Sequence, residues 1–290
     1  MRLIFFSPLY PDTIPTNASV DRSRLSALLG ASKGQMSDVF REKLKITGAP
    51  PLEPVDPAAF EKIVRNRRSV RVYDGTPVPE TVMRHCLELA LLAPNSSNLQ
   101  PWEFYWVRSP EKRARLVEAC FSQNAASTAA ELIVAVGRID TLFPNAKQML
   151  KMLSSESANV PKAVLDYYTK IVPLAYATGP LSLAAPFKWL LFTMIGFFKA
   201  MPREPLGRPG LKLWAAKSTA LACENLMLAF SAHGFDTCPM EGLDSKRVKK
   251  LLGLPRSSVV VMAISVGKRA PEGVYGPRLR FPSSQFVHEV

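Results

Sequence analysis

Arg67-Arg68-Ser69-Val70-Arg71 and, one helix later, Ala93-Pro94-Asn95-Ser96-Ser97-Asn98-Leu99-Gln100-Pro101-Trp102 are the stretches around which this chain is organised. Three guanidiniums fall within five residues. The planar fork of arginine makes bidentate, charge-assisted hydrogen bonds to phosphate oxygens, so such a cluster suits a multiply charged oxyanion. A solvated basic helix end, favoured by the C-terminal helix dipole, is the plainer reading of the same residues. The second stretch is a turn rich in amides and hydroxyls and closed by Pro-Trp, a hydrogen-bonding edge for a flat polar ring.

Outward from the arginines, Asp56-Pro57 supplies an N-cap carboxylate and a proline at the first helical position. Phe60, Ile63 and Val64 follow at helical spacing, which predicts a helix that delivers Arg67 and Arg68 at its C-terminal end. Val72 to Pro79 reads as a loop. Pro79 then opens a second helix with an apolar stripe of Val82, Met83, Cys86, Leu87, Ala90 and Leu91, stopped at Ala93-Pro94. Trp102 to Val107, Leu132 to Val136 and Val259 to Val266 read as strands, and Pro110 to Cys120 as a charged surface helix. Leu211 to His233 predicts a long helix with Ala215, Thr219, Ala222, Leu226 and Phe230 inward and Gly234 as its stop. The order of helices and strands points to an α+β layer architecture.

The flanks are less regular. Residues 1–55 are rich in proline and form an N-terminal extension or arm, with helix candidates at Arg22–Leu29 and near Val39–Leu44. Within it, Gly30-Ala31-Ser32-Lys33-Gly34 matches a nucleophile-elbow pattern, but a Leu-rich segment precedes it where a buried strand is required, so a helix cap and loop is the reading. Residues 56–290 form the main domain, with a lid insertion at about 139–205. The insertion holds helix candidates near Ala146–Leu153 and Ala163–Val172, then an apolar run from Leu181 to Phe198. A spanning helix needs about 20 apolar residues, and this run carries Pro186 and Lys188 near its middle. Burial between subunits and a place on a membrane surface, with Lys188, Lys199 and Arg203 at head-group level, both fit.

Among 290 residues, 47% are hydrophobic and 21% charged, and the net charge is +13, which predicts attraction to anions of some kind. Cys86, Cys120, Cys223 and Cys238 form no CxxC pair, and His85, His233 and His288 are far apart in sequence, so no metal site is expected. The first ten residues carry one base and an apolar run broken by Pro8, too short for an export signal, so a cytoplasmic place is expected, with membrane association through 181–198 as a second reading. No Gly-rich phosphate loop follows a strand, so a phosphate must be held by side chains.

Arg67 to Arg71, the Ala93 to Trp102 turn, Pro239-Met240-Glu241-Gly242-Leu243-Asp244 after the long helix, and a basic pair near the end together resemble the nitroreductase family of flavin mononucleotide enzymes. The resemblance covers roughly residues 57–137 and 211–282. It implies a nitroreductase-like α+β fold, a central mixed sheet flanked by helices, working as a homodimer with FMN at the subunit interface. By that resemblance Arg67, Arg68, Ser69 and Arg71 hold the flavin phosphate, ribityl chain and N1/O2 edge, while Pro94, Asn95, Ser96 and Asn98 reach across from the partner. Asn95 stands where the family has serine. Pro239, Met240, Glu241 and Gly242 would pack near the ring, with the Gly242 backbone N–H and Glu241 as the catalytic contacts at N5. Arg278 and Arg280 would complete the phosphate site.

The activity so implied is hydride transfer from NAD(P)H through the flavin to a nitroaromatic or quinone. Dehalogenation, flavin fragmentation or dehydrogenation of a biosynthetic intermediate on the same scaffold is the nearer alternative. A non-enzymatic basic protein binding membrane or nucleic acid is the distant one. Against nucleic acid, the basic residues are spread along the chain and no recognised module appears. The first 55 residues and the tail from Phe281 to Val290 are expected to embrace the partner subunit, and the insertion's aromatics, Tyr167, Tyr168 and Tyr176 among them, to choose the acceptor.

Overall fold

Strand alternation builds a four-stranded sheet: β1 (Trp102–Trp106), β2 (Glu131–Gly137), β3 (Asp236–Met240) and β4 (Val259–Gly267), in the spatial order β1-β2-β4-β3. The computed structural model describes residues 53–156, 160–178, 184–198, 200 and 203–290, all within one unit, Gly48–Val290. The helix candidates before residue 45, the Gly30–Gly34 motif and the arm up to residue 52 lie outside the described residues.

All three strand pairings are antiparallel. The parallel component of the sheet is the single bridge between Ser69 and Thr237 on the outer side of β3, where the Val70 N–H donates to the Thr237 carbonyl at 3.2 Å. Leu132, Val134 and Val136 point to one face and Ile133 and Ala135 to the other, the period of two that a strand covered on both sides requires. Opposite Ala135 and Val136 the register slips by one residue, pairing them with Met262 and Val260. Val261 is the extra residue of this bulge, so it shares the Met262 face while Val260 joins the other.

Helices dress both faces of the sheet. On one face lie α2 (Glu80–Leu91) and α9 (Gly207–Ala232); on the other, α3 (Pro110–Ala119), the short α4 (Asn124–Ser127) and α10 (Ser245–Leu252). The expected inner face of α9 is as predicted: Ala215, Thr219, Ala222, Leu226 and Phe230 are fully buried, and Gly234 takes the left-handed φ of +71° that ends the helix. The helix α1 (Pro57–Asn66) starts as expected, Asp56 accepting the Ala58 N–H at 2.9 Å, and Ser231 Oγ of α9 donates to the Ile63 carbonyl at 3.1 Å.

The insertion consists of α5 (Leu142–Glu156), α6 (Lys162–Asp166), a π-helical turn (Tyr167–Ile171), α7 (Val172–Tyr176) and α8 (Ala184–Gly196). The expected helix over Ala163–Val172 is present but widened. Pro173 has no N–H and its ring would crowd the Thr169 carbonyl, and a π turn relieves both. At 13 residues α8 is about 20 Å long. Among the described residues no helix is long and apolar enough to cross a membrane. Strand β3 was not expected. Its Pro239 argues against a central strand, and β3 is an edge strand, where a missing donor is tolerated.

Candidate flavin site at the sheet edge

The arginine stretch leaves α1 and runs along the outer edge of β3, with the Arg71 N–H donating to the Gly273 carbonyl at 2.8 Å. The segment 274–280 closes over it, so Arg67, Arg68, Ser69, Arg71, Arg278 and Arg280 line one cavity of about 210 Å³. Among the described residues, five guanidiniums and no carboxylate face this space. Glu224 on α9 is the acid that Arg67 reaches, Nε to Oε1 at 3.9 Å. The Nη1 of Arg67 is buried and has no partner, a state costly enough that it marks a site built for an acceptor.

The other arginines are partly engaged. Arg68 Nη2 donates to the Gly276 carbonyl at 2.5 Å, which fixes the lid segment over the cavity. Arg278 donates to the Arg65 carbonyl at 2.8 Å and to the Arg67 carbonyl, so it also caps α1. Arg280 donates to the neighbouring Leu279 carbonyl at 2.7 Å. Desolvation, then the neighbouring guanidiniums of Arg280, Arg68, Arg67 and Arg65, push Arg278 below an ordinary arginine. Burial raises the Cys238 thiol beneath the clamp, and Arg71 and Arg67 partly offset this. Burial alone pushes Cys120 up to about 11 and Cys86 to about 12, so these thiols are inert packing groups.

Strand β3 carries the third motif to the same edge. Pro239 and Met240 end the strand and Glu241 and Gly242 follow, both exposed. A Cβ added at Gly242 would meet open space, and its carbonyl accepts Gln123 Nε2 at 3.2 Å. The adjacent Asn124 Nδ2 donates to Tyr275 Oη at 3.2 Å, and the Tyr275 ring lies 5.4 Å from the Arg71 guanidinium carbon. A continuous set of contacts thus ties Gly242 to the arginine clamp. Gln123, Asn124 and Tyr275 were not singled out from sequence; the aromatic directly before Gly276-Pro277-Arg278 was the available signal, since a ring beside a basic pair stacks on guanidinium.

The amide-rich turn lies elsewhere. Ser96–Asn98 form a single 3₁₀ turn leading into β1, the opposite edge strand, roughly three strand spacings or about 14 Å from β3. Ser97, Asn98 and Gln100 hold positive φ of 59°, 48° and 45°. Asn95 braces this conformation from within, accepting the Gln100 N–H at 2.8 Å, so the residue in place of the family's serine serves its own turn. The insertion braces it from outside: Ser96 Oγ and Tyr176 Oη share a bond of 3.1 Å, Ser97 Oγ and Tyr167 Oη one of 2.7 Å, and Tyr168 Oη donates to the Ser97 carbonyl at 3.0 Å. Asn98 borders a second cavity, of about 270 Å³, with Leu91, Trp102, Gln148 and Met149. Of the residues expected at the site, one chain therefore brings together Arg67, Arg68, Ser69, Arg71, Arg278 and Arg280 around one cavity. It ties Gly242 to that cavity and keeps Asn95, Ser96 and Asn98 apart.

A layered α+β fold with a cluster of arginines lining a cavity at the sheet edge defines the class: an α+β protein with an anion-complementary site built from side chains. The nitroreductase family profile matches residues 64–268, well over half of the chain, and this chain belongs to that family of oxidoreductases. It is 28% identical over 222 residues to the NADH dehydrogenase of Thermus thermophilus, covering 76% of this chain and 91% of that protein. To nitroreductase NfnB of Mycolicibacterium smegmatis it is 29% identical over 228 residues, 76% of this chain and 88% of the relative. Among solved structures, a protein of Exiguobacterium sibiricum described as a nitroreductase in complex with FMN superposes with a TM-score of 0.57 at 27% identity, over 83% of this chain and all of that one.

Proposed function

We propose that this chain works as an FMN-dependent NAD(P)H oxidoreductase, in a homodimer whose two sites are each built from both subunits. The observation that carries the reading is the buried, partnerless Arg67 Nη1 in a cavity lined, among the described residues, by five guanidiniums and no acid. A phosphate monoester supplies the missing acceptor and the compensating charge. Arg67, Arg68, Ser69, Arg71 and Arg280 would hold that phosphate and the adjoining ribityl chain, with Arg278 fixing the ends of the cradle. When bound, FMN supplies hydride transfer at N5, between a nicotinamide donor and an electrophilic acceptor such as a nitroaromatic or quinone that use one pocket in turn.

The protein contributes position and dipoles. Gly242 borders open space and would offer its N–H there, and Gln123, holding the Gly242 carbonyl, anchors the peptide unit that follows that donor. Pro94, Asn95, Ser96 and Asn98 are proposed to line the partner's flavin, because the fold places them at the far edge of the sheet from their own arginine clamp. The exposed apolar side chains Leu213 and Leu221 on α9 and Phe60 and Val64 on α1 support a subunit interface. A cytoplasmic setting fits four unpaired cysteines.

The visible spectrum of the purified protein tests the cofactor. Bound flavin that is lost when Arg67 and Arg71 are both changed to Ala supports the site, and full retention in that double variant removes it. Steady-state NAD(P)H oxidation with a nitroaromatic acceptor tests the reaction. Flavin bound without turnover by any nicotinamide donor points to a specialised reaction on the same scaffold.

A further inference from the structure

The helix α8 presents Pro186, Trp189, Leu190 and Met194 to solvent, a stripe at helical spacing, and Phe197 and Phe198 extend it just beyond the last turn. No polar side chain interrupts the stripe between Trp189 and Phe198 except Thr193, which is half-buried. Phe192 faces the other way and is buried. At the end of the helix Gly196 leaves the room that the Arg203 guanidinium occupies; a Cβ there would lie 2.8 Å from Arg203 Cζ. A cation is thereby held beside the exposed Phe197-Phe198 pair. From Ala184 to Lys217 the sequence holds six basic residues, Lys188, Lys199, Arg203, Arg208, Lys212 and Lys217, against the single acid Glu204.

We propose that α8, with Phe197, Phe198 and Arg203, forms a docking surface for an acidic lipid bilayer, the helix lying in the plane of the head-group boundary. At about 20 Å the helix is too short for a hydrocarbon core of about 30 Å, so it lies on the surface. Trp189 and the two phenylalanines enter the acyl boundary, where an amphipathic ring is favoured, while Arg203 stays at phosphate level. Charge selects the occupant. A second copy of this chain brings the same local excess of positive charge, which opposes face-to-face pairing here, whereas an anionic bilayer is complementary. This inference does not depend on the flavin reading, because the stripe and its cations are separate from the arginine cavity.

Flotation of the full-length protein with vesicles of phosphatidylcholine, with and without phosphatidylserine, is the test. Expected is binding to the acidic vesicles at least about tenfold stronger than to neutral ones, weakened by salt. Trp189→Ser with Phe197→Ser and Phe198→Ser lowers that binding about tenfold or more. Arg203→Gln lowers it about fivefold, the worth of one cation near such a surface. Absence of wild-type binding to acidic vesicles overturns the proposal whatever the variants do. So does undiminished binding by the triple variant with an unchanged melting curve. Light scattering that shows the triple variant dissociated into monomers, with no wild-type vesicle binding, assigns the stripe to a subunit interface instead.

Discussion

Arg67 combines two properties that separate a binding residue from a structural one: it is mostly buried, and one of its donors is unmet. Arg67→Met is therefore expected to leave apoprotein stability within about 1 kcal/mol, since it removes an unsatisfied group as well as an ion-pair partner. The same change weakens FMN binding roughly 10- to 100-fold, the worth of a charge-assisted hydrogen bond to phosphate. Melting curves of the apoprotein beside fluorescence titration with FMN check the split; a large loss of stability would make Arg67 a scaffold residue. Gly242→Ala makes a second contrast. The methyl enters open space, so the apoprotein melts as wild type, while flavin retention falls because the ring would approach from that side. The arginines were legible because three in five residues is a local pattern. The double duty of Arg278, capping α1 while lining the cavity, was not, because its partners are more than two hundred residues away.

At the scale of elements, the insertion braces the amide-rich turn through its tyrosines. Tyr167 and Tyr176 meet the Ser96 and Ser97 hydroxyls and Tyr168 the Ser97 carbonyl, holding a turn whose positive φ angles cost conformational energy. Tyr167→Phe with Tyr168→Phe is expected to cost about 1 kcal/mol per lost bond, and to raise hydrogen exchange at residues 96–100 with the sheet unchanged. Equal exchange in both proteins would leave the turn self-supporting. Arg138 anchors the start of the insertion: it pairs with Glu103 and Asp140, each at 2.6 Å, and its backbone N–H donates to the Pro101 carbonyl at 2.7 Å. Burial raises the Asp140 carboxyl, and the Arg138 guanidinium outweighs it and holds the group below the usual carboxylate range. A depressed folded pKa means stability present above the unfolded value, about 4, and lost as pH falls through the folded one. Arg138→Met should thus melt lower at neutral pH, with the gap from wild type narrowing on acidification. The insertion's helices were legible by periodicity, but their hydrogen bonds to the turn were not, since nothing local links Tyr167 to Ser97.

At the scale of the molecule, the exposed apolar side chains of α9 and α1 are the surface through which the proposed dimer would form and complete its sites. Leu213→Glu with Leu221→Glu is expected to convert a dimer to a monomer by light scattering and to release flavin although no arginine has changed. A monomer that keeps full flavin would confine the site to one chain. The sequence by itself determined most of the longer helices, three of the four strands, the inner face of α9 and the clustering of the arginines, because caps, periodicity and charge clusters act within a few residues. Only the tertiary structure decided that β3 is an edge strand able to carry Pro239, that Arg67 is left with an unmet donor, and that the amide-rich turn stands at the opposite edge of the sheet from the clamp. Those facts depend on which segments the chain brings together across the sheet. Strand order and burial are set by packing among distant residues, which no local pattern records.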